Sequence, residues 1–186
     1  IAGMDYNFKM FDRPFKLVAE GYYKKLSNLI PYEVDNVRIR YYARNNAIGY
    51  AYGIDCRLNG QFIKNTESWV SLSYMKTEED LTDDFYLDKN GNKILPGFVP
   101  RPTDQRIRVG LFVQDYIPNY PTWKVSLNML FGTSLKYGPP NNNRYADTLK
   151  MPYFLRADIG FSKQLIGGES KLKMGAFKNI KEAWVS

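Results

Sequence analysis

The residue types that most often carry acid–base and nucleophilic chemistry are nearly absent from this chain of 186 residues. It contains no histidine, so it cannot hold a Ser-His-Asp triad, a Cys-His pair, a histidine-ligated zinc ion or an imidazole base. Cys56 is the only cysteine and can form neither an internal disulfide nor a cysteine-rich metal site. We therefore predict no catalytic residue, no resident cofactor and no enzymatic activity.

Acidic and amide side chains cluster in one segment that still invites a metal-site hypothesis. Residues 88–92 read Asp-Lys-Asn-Gly-Asn and place oxygen ligands at short spacing, which suits a hard cation such as Ca²⁺. Further carboxylates lie nearby at Glu78, Glu79, Asp80, Asp83 and Asp84. The spacing does not fit an EF-hand loop, and Asn90-Gly91 is typical of a type I′ hairpin turn. The turn is the favoured interpretation, so no metal ligand is assigned.

Basic and aromatic side chains alternate in a second segment, and the whole chain is basic, with 26 Lys and Arg against 19 Asp and Glu. Such alternation is also found on surfaces that bind single-stranded nucleic acid. The simpler interpretation is a loop whose guanidinium groups face lipopolysaccharide phosphate or an anionic ligand. We therefore predict no nucleic-acid partner. The residues of this segment are Arg38, Arg40, Tyr41, Tyr42 and Arg44.

The elements that must position these residues are strands, because the hydrophobic pattern has a period of two. The alternation is clearest at 47–58, 106–113, 125–132 and 156–163, and weaker at 1–9, 14–28 and 67–76. No segment has a helical stripe. We predict an all-β chain, an antiparallel meander of six complete strands with a partial strand at each end.

Three features bear on what the apolar faces contact. The opposite faces are rich in Gly, Ala and Ser with a few charges, which is typical of a barrel lumen. Several predicted strands reach about ten residues, the length that crosses a bilayer when tilted. Short and long connections also alternate, as in a barrel with short turns on one side of the membrane and long loops on the other. Short turns are predicted at 10–13, 59–66 and 118–122, long loops at 29–46, 77–104 and 136–152, and a link at 165–180.

The pattern favours a transmembrane β-barrel but leaves a soluble β-sandwich open. Aromatic residues near strand ends would form interfacial girdles in a barrel: Tyr22, Tyr23, Tyr50, Tyr52, Tyr74, Tyr116, Tyr120 and Trp123. One set of apolar residues distinguishes the two folds. It would lie on an uncovered sheet face in the barrel and in a closed core in the sandwich. That set is Ile48, Tyr50, Ile54, Val109, Leu111, Val125, Leu127, Ile159 and Phe161.

Charged residues within the predicted strands receive structural assignments. We expect a wall of mutually paired charges, or charges paired with a second domain, at Asp55, Arg57, Arg106, Arg108, Arg156 and Asp158. A solvated turn is expected around Lys163, Lys171, Lys173, Lys178 and Lys181. Cys56 falls on an apolar face and is interpreted as a small hydrophobic residue.

Three runs in the second half of the chain carry a family resemblance. They are, in order, Arg101–Arg106 with the strand at 107–114 and the turn at 115–123, Leu130–Leu135 with Gly138-Pro139-Pro140, and Met151-Pro152-Tyr153 with 156–163. By their order and spacing, they resemble the C-terminal barrel region of TonB-dependent outer-membrane receptors. The branch in question is the one in which a carboxypeptidase-regulatory-like domain often precedes the plug. The resemblance extends from about residue 13 onward.

The resemblance implies a transmembrane barrel of 22 strands, of which residues 1–186 would supply about six to eight meander strands. It implies that the plug, the TonB box and the final strands lie outside this chain, which would then be a fragment of one larger barrel domain. The implied function is energised import of a scarce nutrient across the outer membrane of a Gram-negative bacterium. Iron chelates, cobalamin, glycans and peptides are all compatible nutrients.

The resemblance also implies partners: the nutrient, the receptor's own plug, the TonB complex, outer-membrane lipid and, in some systems, a surface lipoprotein. Candidate ligand-facing segments are 29–46, 77–104 and 136–152, with no individual ligand-binding residue predicted. The alternatives are a soluble all-β binding module, or a barrel that acts as an adhesin, a secretion channel or an enzyme.

Overall fold

The protein folds as an antiparallel all-β sheet in the computed structural model. The structure describes residues 1–35, 38–41, 43–64, 66–137, 149–167 and 182–186. Within these ranges every regular element is a strand, and no helix is long and apolar enough to cross a membrane. The predicted all-β class is therefore confirmed. The sheet does not close on itself, because its path runs from β1 (Ala2–Met10) to β15 (Ala183–Val185) without pairing these two edges.

The other strands between these edges are, in chain order, β2 (Arg13–Leu29), β3 (Tyr32–Asp35), β4 (Arg38–Tyr41), β5 (Ala47–Gly60), β6 (Ser68–Leu81), β7 (Tyr86–Leu87), β8 (Lys93–Ile94), β9 (Val99–Pro100), β10 (Ile107–Ile117), β11 (Tyr120–Gly132), β12 (Lys136–Tyr137), β13 (Leu149–Lys150) and β14 (Phe154–Ile166). The main sheet has the order β1-β2-β5-β6-β10-β11-β14-β15, with β9 added to β6. Each long strand therefore pairs with the next long strand in the chain. The predicted meander of six long strands is confirmed.

Tight turns join the strands at one end of the sheet. Phe11 and Asp12 connect β1 to β2 with φ angles of 53° and 56°, and Pro118 and Asn119 connect β10 to β11, with Asn119 at φ 66°. The first turn has positive φ at both central residues, as do the type I′ turns that match the right-handed twist of the strands they join, whereas Pro118 places the second turn outside this class. The predicted turn at 118–122 is too long, because Tyr120 already pairs with Ile117. This end is called the short-turn end below.

The connection from β14 to β15 is long and begins at the short-turn end. The other long connections, which follow β2, β6 and β11, lie at the opposite end, called the long-loop end. Each of these three contains a two-stranded hairpin that the pattern did not predict, β3–β4, β7–β8 and β12–β13. Strand β6 also extends to Leu81, so residues 77–81 belong to the sheet rather than to the predicted loop 77–104. The polar run at 77–80 resembles a loop in composition, but its backbone pairs with β5. Glu78 and Glu79 form ion pairs with Lys76 and Arg101.

Two of the long loops meet at the long-loop end of the sheet. Strand β3 follows β2, and strand β12 follows β11. In the main sheet, β2 and β11 are separated by β5, β6 and β10. Because neighbouring strands lie about 4.8 Å apart, a flat sheet would hold their ends roughly 19 Å from each other. Even so, β3 and β12 are in contact. The loops that follow β2 and β11 therefore come together at this end.

Candidate functional site

One face of the sheet exposes large apolar side chains. On β14, Ile159 and Phe161 are 68% and 58% exposed, whereas Asp158, Gly160 and Ser162 between and beside them are half-buried. Ile54 of β5 and Leu72 of β6 are likewise 57% and 53% exposed. A water-soluble one-layer sheet face would have the reverse distribution. We call this surface the apolar face and its opposite the polar face.

The strand register aligns the apolar side chains into rows that cross the sheet. Residues directly opposite each other in an antiparallel pair project to the same face. One row runs through seven strands as Tyr6, Leu17, Leu58, Val70, Leu111, Met129 and Ala157. The next runs as Met4, Ala19, Cys56, Leu72, Val109, Phe131 and Leu155. Neither row contains a charged residue, so the apolar face is continuous from β1 to β14.

The discriminating apolar set predicted from the sequence lies on this face. Ile48, Ile54, Leu127, Ile159 and Phe161 are exposed, and the other members are half-buried. The set does not converge into a closed core, which was the arrangement expected of a soluble sandwich. Cys56 lies on the same face and is a free thiol.

Aromatic rings border the apolar face at both ends. At the long-loop end the rings of Tyr50 and Tyr52 stack with their centroids 6.0 Å apart. At the short-turn end Tyr6 stacks on Phe8 at 5.5 Å, and Lys163 lies over the ring of Trp123 at 5.1 Å. Lys163 lies within strand β14, so its predicted place in a solvated turn is wrong. Lys171, Lys173, Lys178 and Lys181 lie outside the described residues.

Two of the predicted girdle tyrosines lie on the polar face instead. Tyr22 pairs with Gly53 in the register, and Tyr116 pairs with Lys124, whose ammonium lies 5.0 Å from the Tyr116 ring centroid. The Tyr22 ring fits on the polar face because the position it covers is a glycine, Gly53. A Cβ atom at Gly53 would lie 2.6 Å from the Tyr22 hydroxyl oxygen.

This close fit makes the polar face sensitive to small additions. We expect Gly53→Ala to lower the free energy of unfolding by about 1–3 kcal/mol, because the new methyl collides with Tyr22 and with the Tyr74 carbonyl. The matched control is Gly21→Ala on the apolar face, where a Cβ atom meets nothing within 4 Å. Thermal unfolding of the two variants checks the expectation, and equal midpoints would contradict it.

The predicted wall charges lie on the polar face, with different partners from those expected. Arg156 pairs with Asp158 at 2.8 Å, as predicted. Arg57 instead donates from Nε to Asn59 Oδ1 at 2.9 Å and lies over the Trp69 ring at 4.7 Å. Arg108 donates to Gln105. Arg106 pairs with Asp104, which the wall assignment had not included.

Buried charges join β6 to the segment that leads into β10. Glu79 and Asp104 are both 0% exposed, and each carboxylate pairs with an arginine, Arg101 at 3.0 Å and Arg106 at 2.9 Å. Asp104 Oδ1 also accepts a hydrogen bond from the Thr77 amide at 2.9 Å. We call Thr77, Glu79, Arg101, Asp104 and Arg106 the rim cluster. Burial would lower the pKa of Arg106, but the Asp104 charge and a hydrogen bond with Tyr74 raise it above its ordinary value.

The rim cluster explains the Arg-Pro-Thr-Asp-Gln-Arg run as a structural motif. The backbone pairs with β6 on both sides of the run, through Arg101 N to Thr77 O at 3.2 Å and Met75 N to Arg106 O at 3.0 Å. Residues between them bulge out of the ladder, and the Asp104 carboxylate takes over the acceptor position. The structural role of Asp104 was not predicted from the sequence. The only local signal for it is an acidic residue between two nearby arginines, Arg101 and Arg106.

The calcium hypothesis has no support among the described residues, where no group of three or more acidic or cysteine side chains is placed to hold a metal ion. Asp88 instead accepts hydrogen bonds from the amides of Asn90 and Asn92, both at 2.8 Å. The predicted type I′ turn is wrong, because Gly91 has a φ of 80° whereas Asn90 is not in the positive-φ region. The favoured interpretation as a hairpin turn is nevertheless correct, with Asp88 bracing it.

The hairpin that Asp88 braces is expected to weaken in acid. Hydrogen bonds from Asn92, then from Asn90 and Gly91, lower the pKa of the Asp88 carboxyl below its ordinary value. A lowered folded-state pKa means that the stabilisation is complete above the unfolded value of about 3.9 and is lost as pH falls through the folded value. NMR titration of the Asn90 and Asn92 amides should show constant shifts above about pH 4.5 and a cooperative change below. Constant shifts down to pH 2 would contradict this.

The three candidate ligand-facing segments share the long-loop end, as antiparallel strands require. Arg38, Arg40 and Tyr41 are exposed there, and the Tyr41 ring lies 5.8 Å from that of Tyr32. Tyr42 lies outside the described residues, as do Pro139, Pro140 and most of 136–152. Burial, then the facing charge of Lys150, lower the pKa of Lys136 in the β12–β13 hairpin.

No family model, no curated protein and no solved structure matches this chain. The functional interpretation consequently depends on the geometry of the sheet.

Proposed function

We propose that this chain forms part of the wall of a transmembrane β-barrel in an outer-membrane receptor of the TonB-dependent type, which imports a scarce nutrient. The observation that carries the proposal is the uncovered apolar face, on which large apolar side chains such as Ile54, Leu72, Ile159 and Phe161 are exposed. Complete burial of an Ile or Phe side chain is worth about 1.5–3 kcal/mol. Rows of such residues left in water would forgo that stabilisation, whereas lipid supplies it.

The dimensions of the apolar face agree with the proposal. Ten residues separate Tyr50 from Gly60 on β5, which is about 33 Å along the strand. At the tilt of about 40° found in outer-membrane barrels this corresponds to roughly 25 Å of height, the thickness of their apolar band. Aromatic residues at both ends of the face would then lie at the two membrane interfaces.

The connections agree with it as well. In outer-membrane barrels, short turns face the periplasm and long loops face the outside. The short-turn and long-loop ends of this sheet would take those positions, and the hairpins β3–β4, β7–β8 and β12–β13 would be external. Nutrient capture is assigned to these loops, together with a plug supplied by the receptor. Energy for import would come from the TonB complex, and a surface lipoprotein is a further partner of some such receptors.

An open sheet also agrees with a partial barrel. Among the described residues, the outer edges of β1 and β15 have no neighbouring strand, and hydrocarbon cannot solvate their unpaired backbone groups. Further strands are therefore required on both sides before the wall can enter a membrane. Under the proposal those strands belong to the same barrel.

Cysteine accessibility along β14 tests the membrane placement. In a Cys56→Ala background, single cysteines replace Ile159 and Phe161 on the apolar face, or Asp158 and Ser162 on the polar face, and each is labelled with an environment-sensitive fluorophore. The protein is purified together with the further strands that complete the wall, and it is reconstituted into vesicles. We expect lipid-attached quenchers to act on the first pair and aqueous iodide to act preferentially on the second.

The alternation of two residues is what the proposal requires. Equal iodide quenching at all four positions, or recovery of the unlabelled protein in the soluble fraction without detergent, would support the soluble binding module instead. Outer-membrane fractionation of the native protein provides an independent check of its location.

A further inference from the structure

A cavity of about 750 Å³ lies on the polar face at the short-turn end. It is open to solvent and is lined by β1, β2, β5, the start of β6 and the turn between β5 and β6. Three cationic side chains line it, Lys9, Lys16 and Arg57, against one acidic residue, Glu67, which is exposed. The amides of Asn7, Asn59 and Gln61 and the ring of Trp69 form much of the remaining wall.

Arg57 is held in one orientation within this cavity. Its Nε donates to Asn59 at 2.9 Å, and its guanidinium lies 4.7 Å from the Trp69 ring centroid. Trp69 is itself stacked on Phe112, with ring centroids 6.4 Å apart. Among the described residues, no acceptor faces the two terminal nitrogens of Arg57. A guanidinium fixed by stacking and by one hydrogen bond loses little freedom when it binds an oxyanion through that free fork.

The neighbouring cations differ in how they are neutralised. Lys16 pairs with Asp5 at 2.6 Å, so its charge is already balanced. Lys9 has no acidic partner within the part of the chain that the structure describes. Lys9 and Arg57 thus have no ion-pair partner among the described residues, and the lining carries more positive than negative charge even when Glu67 is counted. An anion entering the cavity would be attracted by both charges.

The wall also indicates which kind of anion fits. The aromatic surface of Trp69 is suited to the methylene stem of an organic acid. Amide groups beside this ring can donate to a second oxygen. A planar carboxylate on a short apolar stem matches this combination better than a hydrated spherical ion.

We propose that this cavity is a carboxylate-binding site, with Arg57 as the bidentate donor and Lys9 as the second cation. The carboxylate comes either from an acidic polypeptide segment lying on the polar face or from a free dicarboxylic acid. The assignment depends on the cavity alone and holds whether or not the apolar face contacts lipid.

Calorimetric titration of the purified protein at low ionic strength tests the site with two probes, glutarate and an acetylated peptide of alternating Glu and Gly. We expect Arg57→Gln to weaken binding by at least about tenfold, because a charge-assisted bidentate contact is lost. Arg57→Lys keeps the charge but loses the fork, so its affinity should be intermediate. Lys9→Gln should also weaken binding. In a background of Trp123→Phe and Trp184→Phe, the fluorescence of Trp69 reports occupancy independently.

The matched control is Arg156→Gln, which removes an arginine from the same face but from an exposed pair with Asp158, outside the cavity. Its affinity for the probes should equal that of the unmodified protein. Binding of the peptide alone assigns the site to a polypeptide segment, and binding of glutarate as well assigns it to free carboxylic acids. Failure of both probes to bind, or an equal loss with Arg156→Gln, would overturn the proposal.

Discussion

Replacing Leu127 by arginine is expected to lower the stability of the membrane-inserted protein by about 2–4 kcal/mol, the cost of an arginine near the middle of a bilayer. Leu127 lies at the centre of β11 on the apolar face, between Val113 and Ile159 in the register. Both neighbours are apolar, so no acidic residue is directly opposite the new charge. The side chain is 38% exposed, and the arginine would project into lipid.

The adjacent residue supplies a control at the same depth. Asn128 projects to the polar face and pairs with Asp158 in the register, so Asn128→Arg places the same charge beside a carboxylate. We expect this variant to stay within about 0.5 kcal/mol of the unmodified protein, as is usual for partly exposed positions. Unfolding by denaturant in vesicles measures both changes. Similar losses in the two variants would contradict a lipid-facing apolar surface, because only that surface distinguishes them.

Removing the Asp104 carboxylate is expected to be the most damaging single change at the long-loop end. Asp104→Ala leaves the Thr77 amide without its acceptor and removes the partner of Arg106. An unsatisfied buried donor costs about 1–3 kcal/mol, and breaking a buried ion pair costs about 3–5 kcal/mol. Because Arg106 remains 32% exposed in its side chain and also lies 3.8 Å from Glu78, we expect a total near the lower figures, about 3 kcal/mol.

Two variants separate the contributions. Asp104→Asn keeps an oxygen acceptor for Thr77 and should recover part of the loss. Asp158→Ala removes an acid from the exposed pair with Arg156, where the cost should be only about 0–1 kcal/mol. Trypsin cleavage after Lys89 and Lys93 provides a second readout, because release of the bulge should loosen the loop they occupy. An Asp104→Ala protein with unchanged stability and unchanged cleavage would show that the rim cluster does not anchor this loop.

Much of the fold could be predicted from local patterns. The alternation at 47–58 and 156–163 predicts strands because successive side chains of an extended chain project to opposite faces, whatever the rest of the protein does. The same alternation already separates the apolar set from the small and charged residues. Its failures also have local causes. Thr77-Glu78-Glu79-Asp80 has the composition of a loop, and the hairpins in the long connections are too short to produce a periodic signal.

The sites could not be predicted from local patterns, because they depend on which residues of distant strands face each other. Asp104 meets Thr77 across 27 residues of sequence, and Lys9, Arg57 and Trp69 line one cavity from three strands. A shift of one residue in the register would move every side chain of a strand to the other face. The side chains that form the rim cluster and the cavity would then no longer lie together. Period-two alternation and the absence of histidine are properties of the sequence alone. The uncovered apolar face, the rim cluster and the carboxylate cavity exist only once the tertiary structure pairs the strands, since pairing is a long-range event that no local pattern encodes.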